Sequence, residues 1–357
     1  MFFLSNLFQS MAMYNNSTNL NVSIGNRSGM GGNNVAFYHM ISKVSVTFNV
    51  FLAIGIIVSN ILILATIFTT PTLRRELRYL MVSSLAFGDL LLGLAGVPLY
   101  IDFTIQEKIT VACEVHVVLQ VLVIHAHVMI TNLGVLIINI DYVIKQYDYT
   151  MPHFSPAIKL PVYIAISLLP WAAMFIVIPP LIITGMHENV VYIWSDTMCP
   201  VLLDTWARIT LHSLCYFVPL LGMIITTCII IYGFVAQSRG NVAFRPTLLN
   251  DEKPMFHPKF IIAVNILCLL LLLPEHIVHG NIPFDDFKTF VTAYLVSFLF
   301  AMSKGVALPV VWLLVPEVKE AFQDRCSLSY WRTSSDSPQH VVNKTYKEFV
   351  REAETTD

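Results

Sequence analysis

Charge is what this sequence has least of. Only 12% of its 357 residues are Asp, Glu, Lys or Arg, about half of what a soluble chain carries. A soluble multi-domain fold is excluded on that ground. Its 21 basic and 23 acidic residues leave a formal net charge of −2, so no basic stripe exists to hold nucleic acid. No phosphate-binding glycine loop and no nucleophile triad can be found. Internal repeats of the kind that build transporters are missing too. The apolar start Met1–Met13 lacks a basic n-region, so a cleaved signal peptide is not expected. An enzyme is therefore not expected, nor is any cofactor or metal.

Apolar sequence is abundant: 56% of the residues are hydrophobic and the mean hydropathy is +0.68. It is gathered into seven stretches, roughly Val44–Thr69, Tyr79–Ile101, Val115–Val143, Leu160–Thr184, Ile209–Gln237, Phe260–Gly280 and Thr289–Val315. A hydrocarbon core needs about 20 apolar residues in helical form, and each stretch supplies them. The expected fold is all-α, a seven-transmembrane helix bundle spanning 44–315. A 1–43 tail precedes it, and 316–357 follows with a short amphipathic eighth helix and a second tail.

The connections are asymmetric in charge. The first, third and fifth carry Arg74, Arg75, Arg78, Lys145, Lys159, Arg239, Arg245, Lys253 and Lys259, against Lys108 and Lys288 in the second and sixth. Basic short loops stay cytoplasmic, so the N-terminus is expected outside and the C-terminus inside. Acceptor sequons at Asn15, Asn16, Asn21 and Asn26 agree, because such sites are glycosylated on exposed extracellular segments. Cys113 at the outer end of the third stretch and Cys199 in the second extracellular loop both face an oxidising compartment, where a disulfide is the expected outcome. Cys215, Cys228 and Cys268 read as small packing residues. Cys326, just past the seventh stretch, is a candidate for palmitoylation.

Ordered motifs extend the pattern. They are Gly55-Ile56-Ile57-Val58-Ser59-Asn60, then Leu85-Ala86-Phe87-Gly88-Asp89, then Ile140-Asp141-Tyr142-Val143. Trp171 follows with Pro179-Pro180, Pro219, Pro274, Leu308-Pro309-Val310-Val311-Trp312 and finally Pro316–Phe322. In order and spacing the chain resembles the rhodopsin-like G-protein-coupled receptors from about Val44 to Cys326. The resemblance implies an extracellular ligand, a heterotrimeric G protein inside, and a transducer interface and switch at Asp141, Tyr142, Pro274, Pro309 and Trp312. It departs at named places. Tyr142 stands where the family has the arginine that engages the G protein. Leu272 replaces the helix-6 tryptophan, and Leu308 and Trp312 replace the asparagine and tyrosine of the helix-7 motif. Cys113 lies four residues further from Asp141 than the family spacing.

Three charges interrupt the apolar stretches: Asp89, Glu275 and Lys304. Charge is expensive inside lipid, so each marks a candidate site. At about 1.5 Å per residue, Asp89, Asn60, Thr131 and Lys304 lie roughly 15, 14, 18 and 16 Å from the cytoplasmic surface, one shared polar layer. The family holds a sodium ion on the matching aspartate. Here an Asp89–Lys304 ion pair is expected in its place; the alternatives are a neutral Lys304 or one that snorkels elsewhere. Lys304 lies five residues before Pro309, not the seven of the opsins, whose position holds Met302. Two residues turn a helix by about 200°, which turns the side chain away from a retinal pocket.

The outer half is the expected ligand pocket, with Gln120 and His125 in the third helix and Glu275, His276 and His279 in the sixth. Glu275 and His279 are also i,i+4 neighbours able to bond one another, and satisfied packing is the plain alternative for each histidine. Ile124 falls where amine receptors place an aspartate, so a monoamine is not expected. Glu188, Asp196, Asp204, Asp285 and Asp286 outnumber Lys288 at the mouth, which favours a cationic peptide or small cation; solvated loop charges are the alternative. Histidines beside an acidic rim also permit proton sensing. Inside, Ser327, Ser329, Thr333, Ser334, Ser335 and Ser337 suit a receptor kinase and arrestin. The expected function is a plasma-membrane receptor. Its rival is a receptor-like protein that does not couple to G proteins, acting as a scavenger, heteromer partner or arrestin-only receptor.

Overall fold

The computed structural model describes residues 32–106, 112–113, 115, 125–147, 156–186, 203–239, 258–279 and 287–326. Eight helices account for almost all of them. α1 is Gly32–Thr69. α2 consists of Leu77–Leu91, a π turn over Leu92–Gly96, and Val97–Gln106. α3 is His127–Gln146 and α4 is Pro156–Gly185. α5 consists of Thr205–His212, a π turn over Ser213–Phe217, and Val218–Ser238. α6 is Pro258–His279, α7 is Phe287–Leu313 and α8 is Pro316–Cys326. Among the described residues there is no sheet, only a single antiparallel bridge between Met186 and Leu203.

The first seven are each long and apolar enough to cross a membrane, and the chain is a multi-pass membrane protein. In lipid every backbone group must be satisfied within the helix, and the hydroxyls in these helices obey the same rule. Thr66, Thr69 and Thr226 donate to the carbonyls of Leu62, Ala65 and Gly222, one turn back, at 2.7–2.8 Å. α1 begins at Gly32, well before Val44 and inside the segment expected to be tail. Its early polar residues pay no membrane cost because they bond within the protein: Asn49 Nδ2 donates to the Ser45 carbonyl at 2.8 Å, and Ser45 meets Tyr100 of α2 at 3.4 Å.

The π turns of α2 and α5 each have a proline just beyond them. Each ends two residues before a proline, Pro98 in α2 and Pro219 in α5. A proline ring has no N–H and clashes with the carbonyl four residues back, and the wider turn makes room for it. Further prolines lie within α4 (Pro161, Pro170, Pro179, Pro180), α6 (Pro274) and α7 (Pro309).

Packing sets which helix is central. The spanning part of α3 is 67% buried, against 28% for those of α4 and α5, so polar side chains on α3 face the interior. α1 lies against both α2 and α7 through Ile56. A Cβ on Gly93 would stand 2.9 Å from Ile56 Cγ2, and one on Gly305 3.0 Å from Ile56 Cγ1. Only glycine permits that approach. Trp171 of α4 donates its indole N–H to Ser84 Oγ of α2 at 2.9 Å, and Ser84 donates to the Ser167 carbonyl at 2.8 Å.

The odd-numbered helices start at one end of the bundle, its head, and finish at the other, its foot. At the foot, Arg78 at the start of α2 meets Glu317 of α8 at 3.4 Å, and Arg325 of α8 donates to the Thr69 carbonyl at the end of α1 at 2.7 Å. At the head, Asp204 N–H donates to the Gly185 carbonyl at 2.8 Å, where α4 passes into α5. α8 opens with Pro316, whose missing N–H costs nothing at a first helical position. It carries Glu317 in its first turn and Arg325 in its last, both favourable against the helix dipole.

Candidate functional site

Polar side chains gather inside the bundle at three levels. The middle level is charged. Lys304, on the face of α7 turned inward by Gly305 packing against α1, has no exposed surface. Its ammonium donates to Asp89 Oδ1 of α2 at 2.5 Å and to Thr131 Oγ1 of α3 at 2.6 Å. Thr131 in turn donates to the His127 carbonyl at 2.7 Å. Asn60 of α1 donates from Nδ2 to the carbonyls of Ile56 and Gly305, both at 2.8 Å. Four helices are thus tied at one depth. An isolated charge of either sign there is very costly, and the pair removes most of that cost.

Nearer the foot lies a neutral level that the sequence reading did not single out. Asn139 of α3 and Asn265 of α6 exchange amide hydrogen bonds at 3.1 and 3.3 Å. Asn139 also donates to Thr226 Oγ1 at 3.1 Å and Asn265 to Thr227 Oγ1 at 2.8 Å, both on α5. Lone asparagines in apolar helices were the available signal. Amides in lipid seek partners on neighbouring helices.

Toward the head lies a level of aromatic and histidine side chains. His212 Nδ1 of α5 is 3.2 Å from His276 Nδ1 of α6. The His125 ring stands edge-on to His212 with centroids 5.2 Å apart, and Tyr216 stacks on His276 at 3.8 Å. Glu275, beside His276 in the chain, is buried. The expected pocket residues His125, His276 and Glu275 are therefore brought to one region. His212 is an unexpected member, one that the sequence reading did not single out. Gln120 and the side chain of His279 lie outside the described residues. Among the described residues no group of three or more His, Cys, Asp or Glu is placed to hold a metal ion.

The remaining expected residues fall as follows. Asp141 accepts from Lys145 Nζ one turn on, at 2.7 Å. Tyr142 is only 7% exposed and packs in the apolar core with Ile138, Leu308 and Trp312, so its ring is withdrawn from the foot surface. Pro309 is buried and Pro274 half-buried. Asn15, Asn16, Asn21 and Asn26, the Cys199 half of the expected disulfide, and the Ser-rich tail lie outside the described residues. Cys326 ends α8. No family model matches the chain, and no curated protein matches its sequence.

Such an arrangement holds the helices in a defined register. The charged level ties α2, α3 and α7, the amide level ties α3, α5 and α6, and the histidine contact joins α5 to α6 at the head.

Proposed function

We propose that this chain is a rhodopsin-like G-protein-coupled receptor of the plasma membrane. Its head faces outward and binds an extracellular ligand, and its foot faces cytoplasmic transducers. The observation that carries the proposal is the charged level. Asp89, Asn60 and Thr131 occupy the positions where the family resemblance places its polar core, and they meet across α1, α2, α3 and α7 at one depth. The α2–α4 link through Ser84 and Trp171 supports the same reading.

The family's sodium ion does not fit here. The Lys304 ammonium lies 2.5 Å from Asp89 Oδ1, within the space that a cation would need, and already neutralises the carboxylate. Lys304 acts as a tethered cation. Ligand binding at the head would favour one arrangement of the helices, and α6, interrupted at Pro274, would pass the change to the foot. The partners on this reading are the ligand (a cationic peptide or small cation by the charge of the mouth), a heterotrimeric G protein, and a receptor kinase with arrestin at the Ser-rich tail.

A second reading is favoured by one observation: the position of the family's helix-3 arginine holds Tyr142, buried in the core. On that reading the protein binds ligand without coupling to a G protein and acts as a scavenger, a heteromer partner or an arrestin-only receptor. Expression of the wild type beside Tyr142→Arg, with G-protein and arrestin readouts against a ligand library, separates the two. Wild-type G-protein activation that Pro274→Ala abolishes upholds the receptor. Coupling by Tyr142→Arg alone, or an arrestin response alone, moves the protein to the second class.

A further inference from the structure

We infer that His212 and His276 form a proton-binding latch between the head ends of α5 and α6, closed while the pair holds at most one added proton and opened by the second. The inference deepens the receptor reading by naming acid as a regulator of its head, and it rests on that reading for the signalling consequence alone.

The logic lies in the contact itself. Two Nδ1 atoms 3.2 Å apart share a hydrogen bond only if one carries hydrogen and the other presents a lone pair. Two neutral imidazoles satisfy this by choosing opposite tautomers. One imidazolium satisfies it better, because the charged ring donates to the neutral one and charge assistance strengthens the bond. Two imidazoliums cannot satisfy it at all: both Nδ1 atoms carry hydrogen, no acceptor remains, and like charges face one another. The contact therefore holds through the first protonation and fails at the second.

Its surroundings suit that role. Tyr216 stacks on His276 at 3.8 Å with the planes 22° apart, so the imidazole is held toward His212 rather than free to rotate away. The π turn Ser213–Phe217 begins immediately after His212, which places a break in regular α-helical bonding where the head segment Thr205–His212 would move. The titratable and charged groups around the pair, among the described residues, come from each packed element. They are His125 from the α3 side, edge-on to His212, Tyr216 of α5, stacked on His276, and Glu275 of α6, next to His276 in the chain. His125, edge-on to His212, would add to the repulsion on protonation.

The test uses the full chain in nanodiscs, with Cys228→Ser removing an exposed thiol and spin labels on Trp206→Cys and Ile277→Cys, both exposed. The label separation is measured at about pH 8 and about pH 5, either side of the ordinary histidine range. A longer component is expected at the acid pH in the otherwise unaltered chain. His276→Asn should stay closed at both, because its amide oxygen accepts from His212 whether that ring is neutral or charged. His276→Phe, which offers no polar atom, should give the same separation at both. An unchanged separation in the parent, or opening of His276→Asn at acid pH, overturns the latch. Transducer assays at the two pH values distinguish the readings. Acid opening with no change in G-protein or arrestin response upholds the latch and removes its signalling consequence. An acid response equal in the parent and His276→Asn removes the latch and keeps the receptor.

Discussion

Lys304→Met trims an ammonium from a side chain with no exposed surface and keeps its length and most of its volume. What remains is Asp89, 5% exposed, with Thr131 as its neighbour and no cation at that depth. At 2.5 Å the gross attraction in the intact pair is about 7 kcal/mol for an effective dielectric of about 20. Desolvation of the two ions costs several kcal/mol each, so the intact pair is near break-even against an apolar replacement. A single orphaned charge is a different matter, costing about 3–5 kcal/mol. Asp89→Asn in the presence of Lys304 orphans the ammonium in the same way. Asp89→Asn with Lys304→Met orphans nothing, and the new amide has the Thr131 hydroxyl beside it.

The expected order of thermal stability is therefore wild type and double variant together, with both single variants well below. At about 2 °C per kcal/mol, the low end for domains of this class, each single variant should melt about 6 °C or more below wild type in detergent. The double variant should recover to within about 3 °C. The coupling energy between the two positions should then exceed about 3 kcal/mol. Replacing sodium by choline should leave the wild type unmoved, whereas Lys304→Ala, which clears the space beside Asp89, should gain stability with sodium by mass action. If the double variant loses the sum of the two single losses, the residues act independently and the ion-pair account is wrong.

Two further outcomes follow from the packing. Asn139→Leu and Asn265→Leu should each lower stability by about 1–3 kcal/mol, since each removes the donor to the partner's buried amide oxygen while that partner keeps only its threonine contact on α5; the double variant should lose less than the sum, measured as a melting temperature. Gly93→Val should cost about 1–3 kcal/mol by overpacking, because a Cβ there already falls 2.9 Å from Ile56, and Ile56→Ala should restore part of that loss.

The seven spans were legible because their apolar runs exceed a bilayer thickness, and rise per residue placed Asp89, Asn60, Thr131 and Lys304 at a common depth. Depth is one coordinate only. Whether side chains at that depth meet depends on the rotation of each helix, set by packing such as that of Gly93 and Gly305 on Ile56. Lys304 and Asp89 were pairable from sequence because ionised groups at the same level have few other partners. Asn139 and Asn265 carry no such compulsion and lie far apart in the chain, so nothing short of the helix rotations joins them. His212 was hidden for a related reason: it lies in the most polar turns of α5, where a histidine draws no notice.

The three polar levels differ in what can change them. The Lys304–Asp89 pair is deep and matched in charge, with Thr131 as a third partner. The Asn139–Asn265 pair has no titratable group at all, so acid leaves the contact of α3 with α6 near the foot intact. Among the described residues, the head level is the one where two imidazoles share a hydrogen bond that a second added proton would break. A proton stimulus therefore enters at one end of α5 and α6, while the other end stays clasped by neutral amides. Movement of α6 relative to α5 would have to be absorbed between them. Pro274 lies there, two residues before His276 and nine after Asn265, where its missing N–H has already removed a hydrogen bond of α6. The helix is weakest in bonding between the contact that acid can break and the contact it cannot, which makes Pro274 the place where a head movement would become a bend.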